Sequence, residues 1–308
     1  MPFLKQNRKL GIALGGGAAR GWAHIGVLSA LAEHDIEPDI VCGTSIGALV
    51  GGLYVAGRLE DLETWVGRLS PFDVLSYVDV TVAGGGAIRG DRLMEYYQKH
   101  VGEHDIAALA KPFAAVATDL DNGTEVWLRQ GPLLGAIRAS ISFPGLFTPV
   151  ELDGRLLADG GLVNPVPVNV CRALGADIVI AVDVNSNRLR RTRREPKNLH
   201  PDALESDMPW LSRIEKYLSW IPETKDSEAA RPDEPTFIQV LTASLGIMQD
   251  RISLSRLAGD PPDILISPRV GHVDMLDFAS GRSTVQEGYE SVRRMLPALY
   301  GLLDISPE

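Results

Sequence analysis

The run Val41-Cys42-Gly43-Thr44-Ser45-Ile46-Gly47-Ala48-Leu49-Val50 reads VCGTSIGALV. A serine stands between two glycines, after a short apolar run and before a longer one. Two readings fit it. In one, Ser45 is a nucleophile on a sharp strand-to-helix turn, with Gly43 and Gly47 beside it because the turn is crowded. In the other, the stretch is only a small-residue junction between a strand and a helix. The pattern alone leaves both open, and the rest of the chain has to decide.

Working outward, residues 10–14 form a short apolar run ending in glycines, which reads as a buried strand. Residues 18–33 carry Trp22, Ile25, Leu28 and Leu31 at helical spacing. Residues 39–42 read as a second strand and 45–56 as a second helix. Strand, helix, strand, helix is the order of a parallel sheet covered by helices. Further strands are expected at 113–120 and 177–184, with a helix at 166–174. Asp153-Gly154 between two strand-like runs signals a β-hairpin. A helix beginning near residue 236, a strand at 263–266 and a closing helix at 288–303 complete the pattern.

The segment 185–235 differs. It opens with a basic run, Arg188 to Arg194, and is rich in proline and acidic residues, so it reads as a partly disordered insertion. Within it, Leu211, Ile214, Leu218 and Ile221 recur at spacings of three and four between Trp210 and Trp220. The stretch 210–221 is therefore expected to be an amphipathic helix, either packed on its own domain or serving as a lid or membrane contact. Residues 8–308 are expected to form one domain carrying this insertion.

The 308 residues carry a net charge of −10, which argues against nucleic-acid binding as the main role. Two cysteines, Cys42 and Cys171, sit in apolar surroundings and read as core thiols. Neither a signal peptide nor a transmembrane run is legible, so the expected location is the cytoplasm, with peripheral contact at the inner face of the membrane open. No metal-ligand cluster or organic cofactor is expected.

Chemistry concentrates in three places. Gly15, Gly16 and Gly17 follow a strand and open a helix, where backbone N–H groups meet a ligand without Cβ obstruction. A phosphate-binding P-loop needs Gly-Lys-Ser/Thr, and Ala-Arg-Gly stands there instead. A dinucleotide loop needs a glycine where Arg20 stands, and an acidic residue ending the next strand, which ends in Gly43-Thr44-Ser45. An oxyanion hole is the third use, with the Ile46 N–H joining those of the glycine loop. Ser45 is the second place and needs a base. Of the six histidines only His24, near the glycine loop, and His272, late in the chain, are candidates. Asp159 is the third place. It ends a strand and precedes Gly160 and Gly161, an ordinary turn pattern that also lets a carboxylate face a cleft. Within hydrogen-bond reach of Ser45 it could take the serine proton directly, given enough desolvation to raise its pKa.

In order along the chain, GGGAARG, GTSIG and DGG, together with SISFPGLFTPVELDG, resemble the patatin-like phospholipase family, over residues 10–184. The resemblance implies a three-layer α/β/α fold with a mostly parallel central sheet. It also implies a Ser-Asp dyad without histidine, here Ser45 and Asp159, and hydrolysis of lipid acyl esters without a cofactor. Arg20 would then support the glycine loop or contact a lipid phosphate, the first being favoured. The expected partner is a lipid or acyl-ester substrate. Two alternatives use the same residues: a general esterase or thioesterase, and a weakly catalytic lipid-binding regulator.

Overall fold

The computed structural model describes residues 8–77, 79, 86–186 and 237–305. The amphipathic stretch 210–221 and nearly all of the expected insertion lie outside these residues. The strands are β1 (Leu10–Leu14), β2 (Ile40–Thr44), β3 (Gly86–Ile88), β4 (Phe113–Asp119), β5 (Glu125–Leu128), β6 (Gly145–Phe147), β7 (Val150–Leu152), β8 (Arg155–Asp159), β9 (Ile178–Val182) and β10 (Ile264–Ile266). The helices are α1 (Ala23–Glu33), α2 (Ile46–Val55), α3 (Leu59–Val66), α4 (Pro71–Ser76), α5 (Asp91–Val101), α6 (Leu133–Ser140), α7 (Val168–Ala173), α8 (Phe237–Gly259) and α9 (Gly281–Leu303).

The main sheet runs β10-β9-β1-β2-β4-β8-β7, with β5 also paired to β4. From β10 to β4 all neighbours are parallel, and β5, β8 and β7 join antiparallel. Strand periodicity divides the core into two layers. Ile12, Leu14, Val41, Ala115 and Ile180 point to one face and pack with α1, α2, α6 and α9. Ala13, Ile40, Cys42, Val116 and Val179 point to the other and pack with Val168, Val170 and Cys171 on or beside α7. Because both faces are covered, β1, β2 and β9 are buried along their whole length and read as unbroken apolar runs. The three-layer α/β/α architecture expected from the resemblance is the one observed.

Local signals acted as read. Asp153 and Gly154 both have positive φ, 50° and 71°, as a two-residue hairpin turn between β7 and β8 demands. The helix expected at 18–33 begins as a 3-10 turn over Ala18–Trp22 before α1. The closing helix starts at Gly281, seven residues before the expected 288. Its first turns are polar (Arg282, Ser283, Gln286 and Glu287), so apolar periodicity misses them. Asn185, read as the first residue of an insertion, is instead buried, and its N–H is bonded to the Asp183 carboxylate.

Candidate active site

The parallel strands β9, β1 and β2 all deliver loops to the carboxyl edge of the sheet, where open α/β sheets place their sites. Register does the rest. Thr44 pairs with Val116 of β4, so Ser45 lies one step beyond, level with Ala117. Ala117 pairs on that same side with Asp159 of β8, β5 occupying the opposite side of β4. The serine and the aspartate, 114 residues apart, therefore meet at the same height along one side of β4, where β8 takes over from the end of β2.

At Ser45 the chain turns sharply, with φ 57° and ψ −125°. A non-glycine residue held there carries backbone strain of roughly 1–3 kcal/mol, tolerable only when its surroundings fix it. They do. A Cβ on Gly43 would run into the Gly47 and Ala48 backbone, and one on Gly47 into the Leu14 and Gly15 carbonyls. The Ser45 N–H, belonging to neither strand nor helix, donates to Ser140 Oγ of α6 at 2.8 Å. Ser140 in turn donates to the Val116 carbonyl at 2.6 Å.

The Ser45 hydroxyl donates to Asp159 Oδ2 at 2.5 Å. Asp159 is fully buried, and its other oxygen accepts the Gly161 N–H at 2.7 Å. Burial pushes the carboxyl up to about 6; the bonds from Ser45 and Gly161 pull the other way. The backbone of Asp159 is clamped on both sides, by Ser142 O at 3.0 Å and by Thr118 Oγ1 at 2.8 Å. Gly160 lies so close to the Val116 carbonyl that no side chain fits there.

The glycine loop lies against this pair, a Cβ on Gly16 falling 3.4 Å from Ser45 Cβ. Its donors are divided. Gly15 N–H bonds Val182 O at 3.0 Å and Gly16 N–H bonds Pro165 O at 2.9 Å. The N–H groups of Gly17, Ala18 and Ile46 have no partner among the described residues. Ala18 holds a left-handed φ of 49°. Ala18, Ser45 and Ile46 all line one cavity of about 130 Å³, walled by apolar side chains including Trp22, Leu49, Trp65, Leu146 and Met275.

Residues 12–172, more than half the chain, match the family model described as patatin-like phospholipase. This chain belongs to the patatin-like phospholipase family. An uncharacterized NTE family protein of Mycobacterium bovis is 39% identical over 331 residues, covering 94% of this chain and 92% of its own. A patatin-like phospholipase domain-containing protein of Caenorhabditis elegans is 41% identical over 184 residues, covering 58% of this chain and 14% of its own. Lysophospholipase nte1 of Emericella nidulans is 29% identical over 298 residues, covering 95% of this chain and 18% of its own.

Within this patatin-like site the two candidate histidines stand apart from the serine hydroxyl. His24 is buried with Nε2 2.7 Å from the Gly15 carbonyl. That carbonyl can only accept, so Nε2 carries the proton. Burial lowers the His24 pKa to about 4. His272 is exposed and does not line the cavity. Arg20, also buried, donates from Nε to Val273 O at 2.8 Å and from Nη1 to Asn185 Oδ1 at 3.0 Å. It ties the loop to its neighbours, as a supporting residue would. Ser140, Ser142, Thr118 and Asn185 were not singled out from the sequence. Each acts through a partner distant in the chain, and only SISFPG, quoted for its resemblance, pointed near two of them.

Proposed function

We propose that this chain is a serine acyl hydrolase that cleaves fatty-acyl ester bonds of lipids, with Ser45 as nucleophile and Asp159 as its base. The observation that carries the reading is the 2.5 Å bond to a buried carboxylate from the hydroxyl of Ser45, a residue that lines an apolar cavity. A base near 6 is matched to neutral pH, strong enough to take a proton and weak enough to return it. Membership of a phospholipase family and likeness to a lysophospholipase support the lipid substrate class.

Asp159 accepts the hydroxyl proton as Ser45 Oγ attacks the ester carbonyl. The developing oxyanion is met by the N–H groups of Gly17 and Ile46, with Ala18 beside them. As the tetrahedral intermediate collapses, the ester C–O bond breaks and the leaving alcohol takes the proton from Asp159. Water then attacks the acyl-serine, passing its proton to Asp159. The fatty acid leaves and Ser45 Oγ recovers that proton. The acyl chain lies in the cavity, whose walls are mostly apolar side chains.

Hydrolysis of long- and short-chain p-nitrophenyl esters by the wild type, Ser45→Ala and Asp159→Asn tests this. Both variants are expected to fold and to lose at least about 10³-fold in kcat/KM. Loss in Ser45→Ala with full activity in Asp159→Asn would remove the dyad and leave the serine with another base.

A further inference from the structure

The peptide group between Gly16 and Gly17 is held from one side. Its carbonyl accepts a hydrogen bond from Asn185 Nδ2 at 2.9 Å. In a trans-planar peptide the N–H points opposite to the C=O. Fixing the Gly16 oxygen toward Asn185 therefore fixes the Gly17 N–H away from Asn185, and that N–H, like the one of Ala18 after it, has no partner among the described residues. The orientation of the Asn185 amide is itself determined. Arg20 can only donate, so the atom facing it must be the oxygen, and the Gly16 carbonyl can only accept, so the atom facing it must be the nitrogen. The side chain is buried, and its backbone N–H is pinned to Asp183 Oδ1 at 2.9 Å. Asn185 thus has one orientation and no freedom to leave it.

We propose that Asn185 is a positioning residue that aims the Gly17 N–H at the oxyanion of the tetrahedral intermediate, with Arg20 fixing the Asn185 amide. This rests on Ser45 being the nucleophile. It gives Arg20 a defined task two bonds removed from the substrate. It also explains why a residue at the far end of β9, just beyond the sheet, is packed against the glycine loop that follows β1.

Asn185→Asp is the informative variant. It keeps an oxygen for Arg20, and strengthens that contact by charge, but has no N–H for the Gly16 carbonyl. Asn185→Ala removes both contacts. The readout is the affinity of a long-chain alkyl trifluoromethyl ketone, which forms a tetrahedral adduct on serine, compared with inhibition by the matching free fatty acid, which does not. Asn185→Asp is expected to weaken the ketone and lower kcat on the order of 10- to 100-fold. Fatty-acid inhibition and KM should stay near wild type. An Asn185→Asp protein that binds the ketone as the wild type does would overturn the proposal. So would parallel losses for ketone and fatty acid, which would mean general damage to the pocket. The underlying reading fails separately: Ser45→Ala that still hydrolyses esters and binds the ketone would show that the nucleophile itself is misassigned.

Discussion

Asp159 holds its carboxyl where a charge is unwelcome, and two consequences follow. The first concerns rate. The carboxylate must be ionised to take the serine proton, so kcat/KM should fall as pH drops through about 6 and level off above it. A flat profile between pH 5 and 8 would contradict a buried carboxylate base. The second concerns stability. Burial raises the folded pKa above the unfolded value, so the folded state binds more protons between about 4 and 6. The contribution of Asp159 is then least unfavourable in acid and is lost as pH rises through 6. A shift of this size corresponds to roughly 2–3 kcal/mol above pH 6. Asp159→Asn should therefore be more stable than wild type at pH 8 by about that amount, and the advantage should vanish toward pH 4. Urea unfolding at both pH values measures it; a variant less stable than wild type at pH 8 would count against it. His24 works oppositely. Burial lowers its pKa, so its contribution is lost as pH falls from 6.5 toward 4. The Asp159 effect is thus visible in the difference between variant and wild type, not in the wild-type curve alone.

Single elements carry the strain that the site needs. The end of α6 and the residues just after it touch both members of the pair, through Ser140 to the Ser45 N–H and through Ser142 O to the Asp159 N–H. Ser140→Ala leaves the N–H of a strained, half-buried residue without a partner. A fall in kcat of about 10-fold, with a folded protein and little change in KM, is expected from steady-state kinetics, where a loss of one bond worth about 1–2 kcal/mol lies in the transition state. Unchanged kcat would mean that the elbow holds itself. On the outer face, α1 and α9 pack backbone to backbone. A Cβ on Gly26 would strike the Val285 carbonyl, and one on Gly288 the Ala23 carbonyl. Gly26→Ala should destabilise by about 1–3 kcal/mol, read as a lowered melting temperature, although alanine is the better helix former. This contact was invisible in the sequence, since a glycine inside a helix announces a close approach without naming the partner. Strands β1, β2, β4 and β9 and the β7–β8 turn were legible because apolar runs and Asp-Gly act locally. Helices α3 and α5 were not read, although Trp65 and Tyr97 from them wall the cavity.

The molecule as a whole brings to one edge of a sheet what the chain scatters over 170 residues. The three motifs were readable because each is a short stretch whose backbone conformation demands small residues. Their mutual distance was not, because it depends on strand register: Thr44 to Val116, then Ala117 to Asp159. Asn185 was misread for a related reason. The basic run three residues later dominates its local composition, while its contacts are to Gly16 and Arg20, more than 160 residues earlier. The cavity formed by that assembly has apolar walls, so kcat/KM should rise with acyl length. Leu146→Trp, which fills the cavity, should reduce turnover of long-chain esters while leaving p-nitrophenyl acetate near wild type. A chain-length series on both proteins checks this, and equal losses at every length would contradict an acyl-binding role. The most direct test of the central claim is to quench the reaction with a long-chain p-nitrophenyl ester in acid and map the acylated peptide by mass spectrometry. The account requires one acyl group on Ser45, absent from Ser45→Ala. Rapid turnover with the adduct elsewhere, or with none on Ser45, would contradict it.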